Sequence, residues 1–314
     1  MATKFEGLDN NPIVENQEVA TDFPSNAEEV LQPQTESPRI PTDPNKITVK
    51  VSDSKAPIIL LFGAPSSGKT MTLVRLARYL RKKQYSVSVD AKFVTTKDVW
   101  EYTENSAKFN KMLDTTTALK GTGRNDFLFI RVCDTRGKLI CQILEGAGED
   151  YFPTNGTNRF QSPFPPYMTG IFNTNNKKIW MFLTEPDWDV NQIDRDEYVQ
   201  RIAYCKNQFF NSRRDRSIIL YNKIDKTRFI YGPGQVYTKE AMAYCKNEYE
   251  GIFDIFRNPS PLAGILTEKY TCKFVPFSTG VYSEASQGEF GHYDISHDSY
   301  PHHLWEAIMD CIKS

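Results

Sequence analysis

Residues 63–70 read Gly-Ala-Pro-Ser-Ser-Gly-Lys-Thr, a G-x-x-x-x-G-K-[ST] spacing whose residue types suit a phosphate ligand. Glycines at both ends let the main chain wrap closely around phosphate oxygens. Successive N–H groups, and the start of the helix that follows, then point at the anion. Lys69 can reach the outer phosphates, and the Thr70 hydroxyl can ligate Mg²⁺. The contacts expected here come from Gly63, Ser66, Ser67, Gly68, Lys69, Thr70 and Met71. A second group, Asn222-Lys223-Ile224-Asp225, reads as N-K-x-D. A carboxylate at Asp225 can accept hydrogen bonds from guanine N1–H and the exocyclic amine. Adenine presents neither donor at that edge and would leave a buried charge unpaired. The Lys223 stem can lie along the base plane, and Asn222 can tie this loop to the phosphate loop. A third short segment, Ser278-Thr279-Gly280, is small and polar.

Each group follows a segment that can hold it still. Pro57–Phe62 is an apolar run suited to a buried parallel strand. Met71, Val74, Ala77 and Leu80 then recur at helical spacing. Arg216–Tyr221 precedes Asn222, and Cys272–Phe277 precedes Ser278; both read as strands. Phe127–Cys133 and Leu139–Leu144 read as a hairpin, joined by the tight turn Asp134-Thr135-Arg136-Gly137-Lys138. Lys178–Leu183 is a further strand. Helices are expected over Asn191–Phe210, over Tyr237–Arg257 and from Pro301 to the end.

The three loops, in this chain order and each at a strand end, resemble those of a Ras-like GTPase of the P-loop superfamily. The resemblance covers roughly residues 55–314. It implies an α/β fold with a mostly parallel central sheet, one antiparallel hairpin strand and helices on both faces. It also implies GTP or GDP as ligand, with Mg²⁺. Ser278, Thr279 and Gly280 match the small loop that the family sets against guanine. The family's D-x-x-G magnesium motif matches Asp134–Gly137 letter for letter, but a hairpin tip lies at the wrong end of the sheet. Nucleotide loops of open α/β sheets lie at the carboxyl ends of the parallel strands. Glu145-Gly146-Ala147-Gly148 follows the second hairpin strand and is the better match.

Three departures from the family follow. Glu145 takes the place of the magnesium-side aspartate, and its longer stem can contact Mg²⁺ through water. Glu149 stands where a water-orienting glutamine is common; it repels the outer phosphate, acts as a base, or points away. Pro65 replaces a frequent glycine. The resemblance also calls for a switch threonine before the second strand. Thr115, Thr116, Thr117 and Thr122 are available, and Thr122 has the best spacing, as both a metal-side and a catalytic residue alongside Lys69 and Glu149. Arg124 lies close by as a solvated loop residue or an arginine finger. Hydrolysis is therefore expected to be slow. The alternatives are a P-loop ATPase or kinase, in which Asn222–Asp225 is accidental, and a GTP-binding scaffold with little turnover.

Composition limits the remaining possibilities. Residues 1–46 hold nine acidic and three basic residues, six prolines and only Phe5 and Phe23 as aromatics. Such a stretch buries too little apolar area to offset its ordering entropy, so residues 1–50 read as a disordered acidic tail before a GTPase domain over 51–314. The whole chain has a net charge of −1, which makes no case for nucleic acid. Insertions fall near 151–177, 226–260 and 280–298. The first is aromatic, and its rings either pack as a long buried loop or form a partner surface that changes with nucleotide. His292, His297, His302 and His303 match no metal-ligand spacing. The cysteines include no C-x-x-C, and Cys133, Cys141 and Cys272 read as reduced core residues. Without a signal peptide, an apolar run of membrane-spanning length or a lipidation motif, the expected location is cytoplasmic with no membrane anchor.

Overall fold

The computed structural model describes residues 42–97, 99–114, 127–153, 159–186, 194–260, 264–265, 268–282 and 293–314. In chain order the elements begin with β1 (Ile58–Phe62), α1 (Lys69–Lys82), β2 (Ser86–Val89), α2 (Trp100–Asp114), β3 (Leu128–Cys133) and β4 (Leu139–Glu145). Then come α3 (Gly148–Tyr151), α4 (Pro166–Phe172), β5 (Lys178–Thr184), α5 (Arg195–Phe209), β6 (Arg216–Tyr221), β7 (Ile230–Gly232), β8 (Gln235–Val236) and α6 (Thr238–Glu248). The last are β9 (Cys272–Pro276), β10 (Gly280–Tyr282), β11 (Tyr293–Ile295) and α7 (Ser299–Lys313).

Seven strands form one sheet in the order β2-β3-β4-β1-β5-β6-β9. From β4 through β9 every pairing is parallel. Strand β3 runs antiparallel to both β2 and β4, so the expected hairpin is present. Helices surround the sheet. Helix α1 packs against α2 and α7, and α7 reaches β5, β6 and β9. This burial on both sides accounts for the unbroken apolar run of β1, all of whose residues are buried. Helix α1 forms because Leu73, Val74, Leu76, Ala77 and Leu80 share the buried face, with Arg81 and Lys82 in its last turn, where the helix dipole favours cations.

Several elements depart from the expectations. Strand β2 and helix α2 have no counterpart in them; the short Ser86–Val89 alternation and the weak amphipathicity of α2 were submerged between stronger signals. The body also begins before residue 51. Ile47 is buried, Val49 bridges Val94, and Lys50 N–H donates to Phe93 O at 2.7 Å. Alternating Ile47, Val49 and Val51 pack against the core, outweighing the acidic composition. The helix expected over 237–257 stops at Glu248, and the chain turns at Gly251, whose φ is +82°. Among the described residues after α3 the chain forms one 3-10 turn, Arg159–Gln161, and the short α4. Over 151–177, Tyr151, Phe152, Phe164, Tyr167 and Phe172 are buried and Phe160 is half-buried, with Phe152 stacked on Tyr198 at 5.0 Å between centroids. Packing is thus what those rings do, while Gln161, Pro163 and Pro166 stay exposed.

Candidate nucleotide site

The phosphate loop runs from the end of β1 to the start of α1, and its backbone is shaped for close approach. Ser66 (φ +61°) and Gly68 (φ +86°) lie in the left-handed region. A Cβ on Gly68 would stand 2.6 Å from Asn222 Nδ2, so glycine is required both by conformation and by the neighbouring loop. Asn222 Nδ2 itself donates to Ser67 O at 2.9 Å, the tie expected from the sequence. Lys223, also left-handed at φ +53°, donates to Ser66 O at 3.3 Å. Asp225 Oδ1 accepts from Ser278 Oγ at 2.5 Å, and Ser278 Oγ accepts from Gly280 N–H at 3.2 Å. The three segments singled out by sequence therefore meet at the carboxyl ends of β1, β6 and β9.

The third motif joins them at the end of β4. Thr70 Oγ1 donates to Glu145 Oε1, and Glu145 is buried. Gly148 presses on the phosphate loop so closely that a Cβ would fall 2.3 Å from Pro65 N and 2.5 Å from Pro65 Cα. Asp134–Gly137 is a hairpin turn at the opposite end of β4. Asp134 Oδ1 accepts from Arg136 N–H and Lys138 N–H, each at 2.9 Å, and the Lys138 and Arg136 amides hold its carboxyl below the usual range. That carboxylate caps its own turn and takes no part in the site.

Lys69 is buried, and its ammonium donates to Gly63 O and Ala64 O, each at 3.0 Å. Burial lowers its pKa to about 8, against the opposing pull of Glu145, Glu149, Asp150 and Glu185. Glu149 sits half-buried in α3. Met71, at the start of α1, is half-buried against the core. Thr115, Thr116, Thr117, Thr122, Arg124 and His292 lie outside the described residues. His302 Nδ1 shares a hydrogen bond with Tyr79 Oη at 3.0 Å. Among the described residues no His, Cys, Asp and Glu cluster suits a metal ion, and all six cysteines are free thiols.

The residues fit a nucleotide with Mg²⁺. Ser67 Oγ and Asn222 Oδ1 are buried without a hydrogen-bond partner among the described residues, and both flank the loop that would hold phosphate. Thr70 and Glu145 offer the hard oxygen donors that Mg²⁺ takes. The sequence reading missed Glu185, which follows β5, is fully buried and pairs with Lys223. Its signal was an acid directly after an apolar strand, at the carboxyl end of β5. Also missed was Arg201 of α5, which donates to Tyr151 O, Phe160 O and Ser162 O at 2.8, 2.9 and 2.5 Å. It packs 3.8 Å over the Phe164 ring, and so fastens the segment after Glu149 to α5. Burial lowers its pKa to about 10.

No protein-family model matches this chain, and no curated protein matches it. Several solved structures resemble it loosely. One is a nucleolar GTP-binding protein 1 from Plasmodium falciparum, 16% identical, with a TM-score of 0.37, covering 74% of this chain and 80% of that one. Another is the S. cerevisiae Ski7 GTPase-like domain bound to GTP, 11% identical, with a TM-score of 0.38, covering 82% of this chain. A third is the bacterial selenocysteine-specific elongation factor EF-Sec, 12% identical, with a TM-score of 0.37, covering 82% of this chain. This chain spans 50% of the Ski7 chain and 29% of the EF-Sec chain.

Proposed function

We propose that this protein binds GDP and GTP with Mg²⁺ and hydrolyses GTP slowly, acting as a nucleotide-dependent switch. The observation that carries this reading is the joining of base and phosphate loops: Asp225 meets Ser278 while Asn222, three residues earlier, donates to Ser67 O. In this reading Asp225 accepts the two guanine donors, and Ser278 holds the carboxylate in place. Lys223 lies along the base. The amides of the phosphate loop and the Lys69 ammonium face the phosphates. Thr70 holds Mg²⁺ directly and Glu145 holds it through water; bound Mg²⁺ neutralises phosphate charge. Thr122 is the proposed switch threonine.

Phosphoryl transfer spreads negative charge over the phosphate oxygens, so an ionised Glu149 close to them slows turnover unless it is turned toward the attacking water. A protein partner that reads the nucleotide state through 151–177 would contact the exposed Gln161, Pro163 and Pro166. The burial of the aromatic residues there, and the Arg201 clamp, favour a second reading: a GTP-binding scaffold with scarcely any turnover. The first test is competition binding. GDP and GTP are expected to displace a labelled guanine nucleotide, and ADP and ATP to fail. Asp225→Asn should narrow the difference, each lost charged hydrogen bond being worth on the order of 1.5–3 kcal/mol. Equal competition by ATP would point to an ATPase or kinase instead. A single-turnover assay with bound GTP then separates the slow switch from the scaffold.

A further inference from the structure

Glu185 is fully buried at the end of β5, an environment that penalises a carboxylate unless it has a partner. Lys223 of the N-K-x-D segment forms an ion pair with it. The Lys223 ammonium also donates to Ser66 O in the phosphate loop. One ammonium thus bridges a buried acid and the phosphate-loop main chain, which fixes the direction of the stem between them. The acid is itself held in place. Tyr249 Oη accepts from Glu185 N–H at 3.0 Å and donates to Glu185 O at 2.8 Å, and Tyr249 is buried with the Arg195 guanidinium 5.4 Å from its ring centre. Arg195 in turn pairs with Glu248 at the end of α6. A chain of contacts therefore runs from α6 through Tyr249 and Glu185 to Lys223 and the phosphate loop.

We infer that Glu185 is a positioning residue for base recognition, aiming the Lys223 stem along the plane of the bound guanine and tying it to the phosphate loop. This rests on the guanine-nucleotide reading above. Glu185 touches neither base nor phosphate and acts through Lys223. A neutral side chain of the same shape, as in Glu185→Gln, leaves the ammonium held by Ser66 O and one weaker acceptor, so its stem wanders. A missing ammonium, as in Lys223→Met, removes the ion-pair partner of a buried carboxylate.

The test is a double-mutant cycle on the full chain, with GDP affinity and thermal midpoint as separate readouts. Glu185→Gln should weaken GDP about tenfold, a loss of roughly 1.4 kcal/mol. Glu185→Asp should recover part of that loss. Lys223→Met should weaken GDP at least as much and also lower the thermal midpoint. Adding Glu185→Gln to Lys223→Met should raise the midpoint again without weakening GDP further. A fully multiplicative loss in the double variant, or wild-type GDP affinity in Glu185→Gln, overturns the inference; a change in midpoint alone makes Glu185 merely structural. Should the wild type bind ADP as well as GDP, the guanine reading fails first and this inference falls with it.

Discussion

Two D-x-x-G-like segments flank strand β4, and they behave in opposite ways. Asp134–Gly137 carries the familiar letters but closes a hairpin, its aspartate accepting amides of its own turn. Glu145–Gly148 carries an unusual acid, yet its glutamate meets Thr70 and its last glycine presses against Pro65. The strand that joins them, Leu139–Glu145, is seven residues long and ends in Glu145 itself. What separates the two is which end of the sheet they occupy. In a parallel sheet the carboxyl ends gather the loops that lead into helices, and a ligand can be met there by several loops at once. A hairpin tip at the other end meets only itself.

The largest expected effect contrasts the two glycines. Gly148→Ala should abolish GDP binding, because the new methyl group would collide with main-chain atoms of the phosphate loop. It should also cost about 1–3 kcal/mol in urea unfolding, as overpacking does. Gly137→Ala meets nothing within 4 Å and should leave GDP affinity intact. It should still cost about 1–2 kcal/mol, because the φ of +78° there disfavours any side chain. Equal GDP binding by both variants would erase the distinction.

The acids sharpen it next. Glu145→Ala should weaken the Mg²⁺ dependence of GDP binding by about 10–100-fold, the usual cost of losing an outer-shell metal partner. Asp134→Ala should leave that dependence unchanged in the same titration. It should only lower the thermal midpoint slightly. The Asp134 carboxyl is depressed below 3.8 in the folded protein, so its contribution is present above that value and is lost as the pH falls through the folded pKa.

A smaller effect concerns the burial of Lys69 beside Glu145. Its pKa falls from 10.5 to about 8 on folding, so the unfolded chain binds more protons between those values. The contribution of Lys69 to the stability of the nucleotide-free protein should therefore rise with pH from about 8 to about 10.5, at no more than about 1.4 kcal/mol per pH unit. It acts alongside a like contribution from Lys178 and is opposed by the buried thiols Cys141 and Cys205, whose pKa values burial raises. Lys69→Met should flatten that slope in denaturant titrations across the same window. A pH dependence identical to that of the wild type would remove Lys69 as a contributor.

The smallest expected effect tests the third motif at its edge. Glu149→Gln should raise single-turnover GTP hydrolysis modestly, because a neutral amide no longer opposes the charge of the transition state. A fall in rate would instead make Glu149 the base. An unchanged rate would remove it from the site, and with it the alignment of Glu145–Gly148 to the family's motif.

The sequence by itself determined the parts of this protein that are local. Pro57–Phe62, Arg216–Tyr221 and Lys178–Leu183 are short apolar runs that only a doubly covered sheet can bury, and they appear as β1, β6 and β5 within a residue at each end. Residues 63–70 and 222–225 were legible because phosphate and guanine recognition would demand fixed residue types at fixed spacing. The tertiary structure alone decided what depends on distant partners. Residues 42–51 are acidic in their surroundings, but Val49 finds Val94 and Ile47 finds the core. The helix expected over 237–257 ends at Glu248, and the buried Tyr249 just beyond it donates to the Glu185 carbonyl. Arg201 reads as one more charge on a helix, yet it is fully buried on the carbonyls of Tyr151, Phe160 and Ser162, 39 to 50 residues earlier. Spacing along the chain reports which face a residue takes on its own helix or strand. It carries no information about which remote carbonyl, carboxylate or glycine will lie opposite, because that is settled by the order of the strands in the sheet.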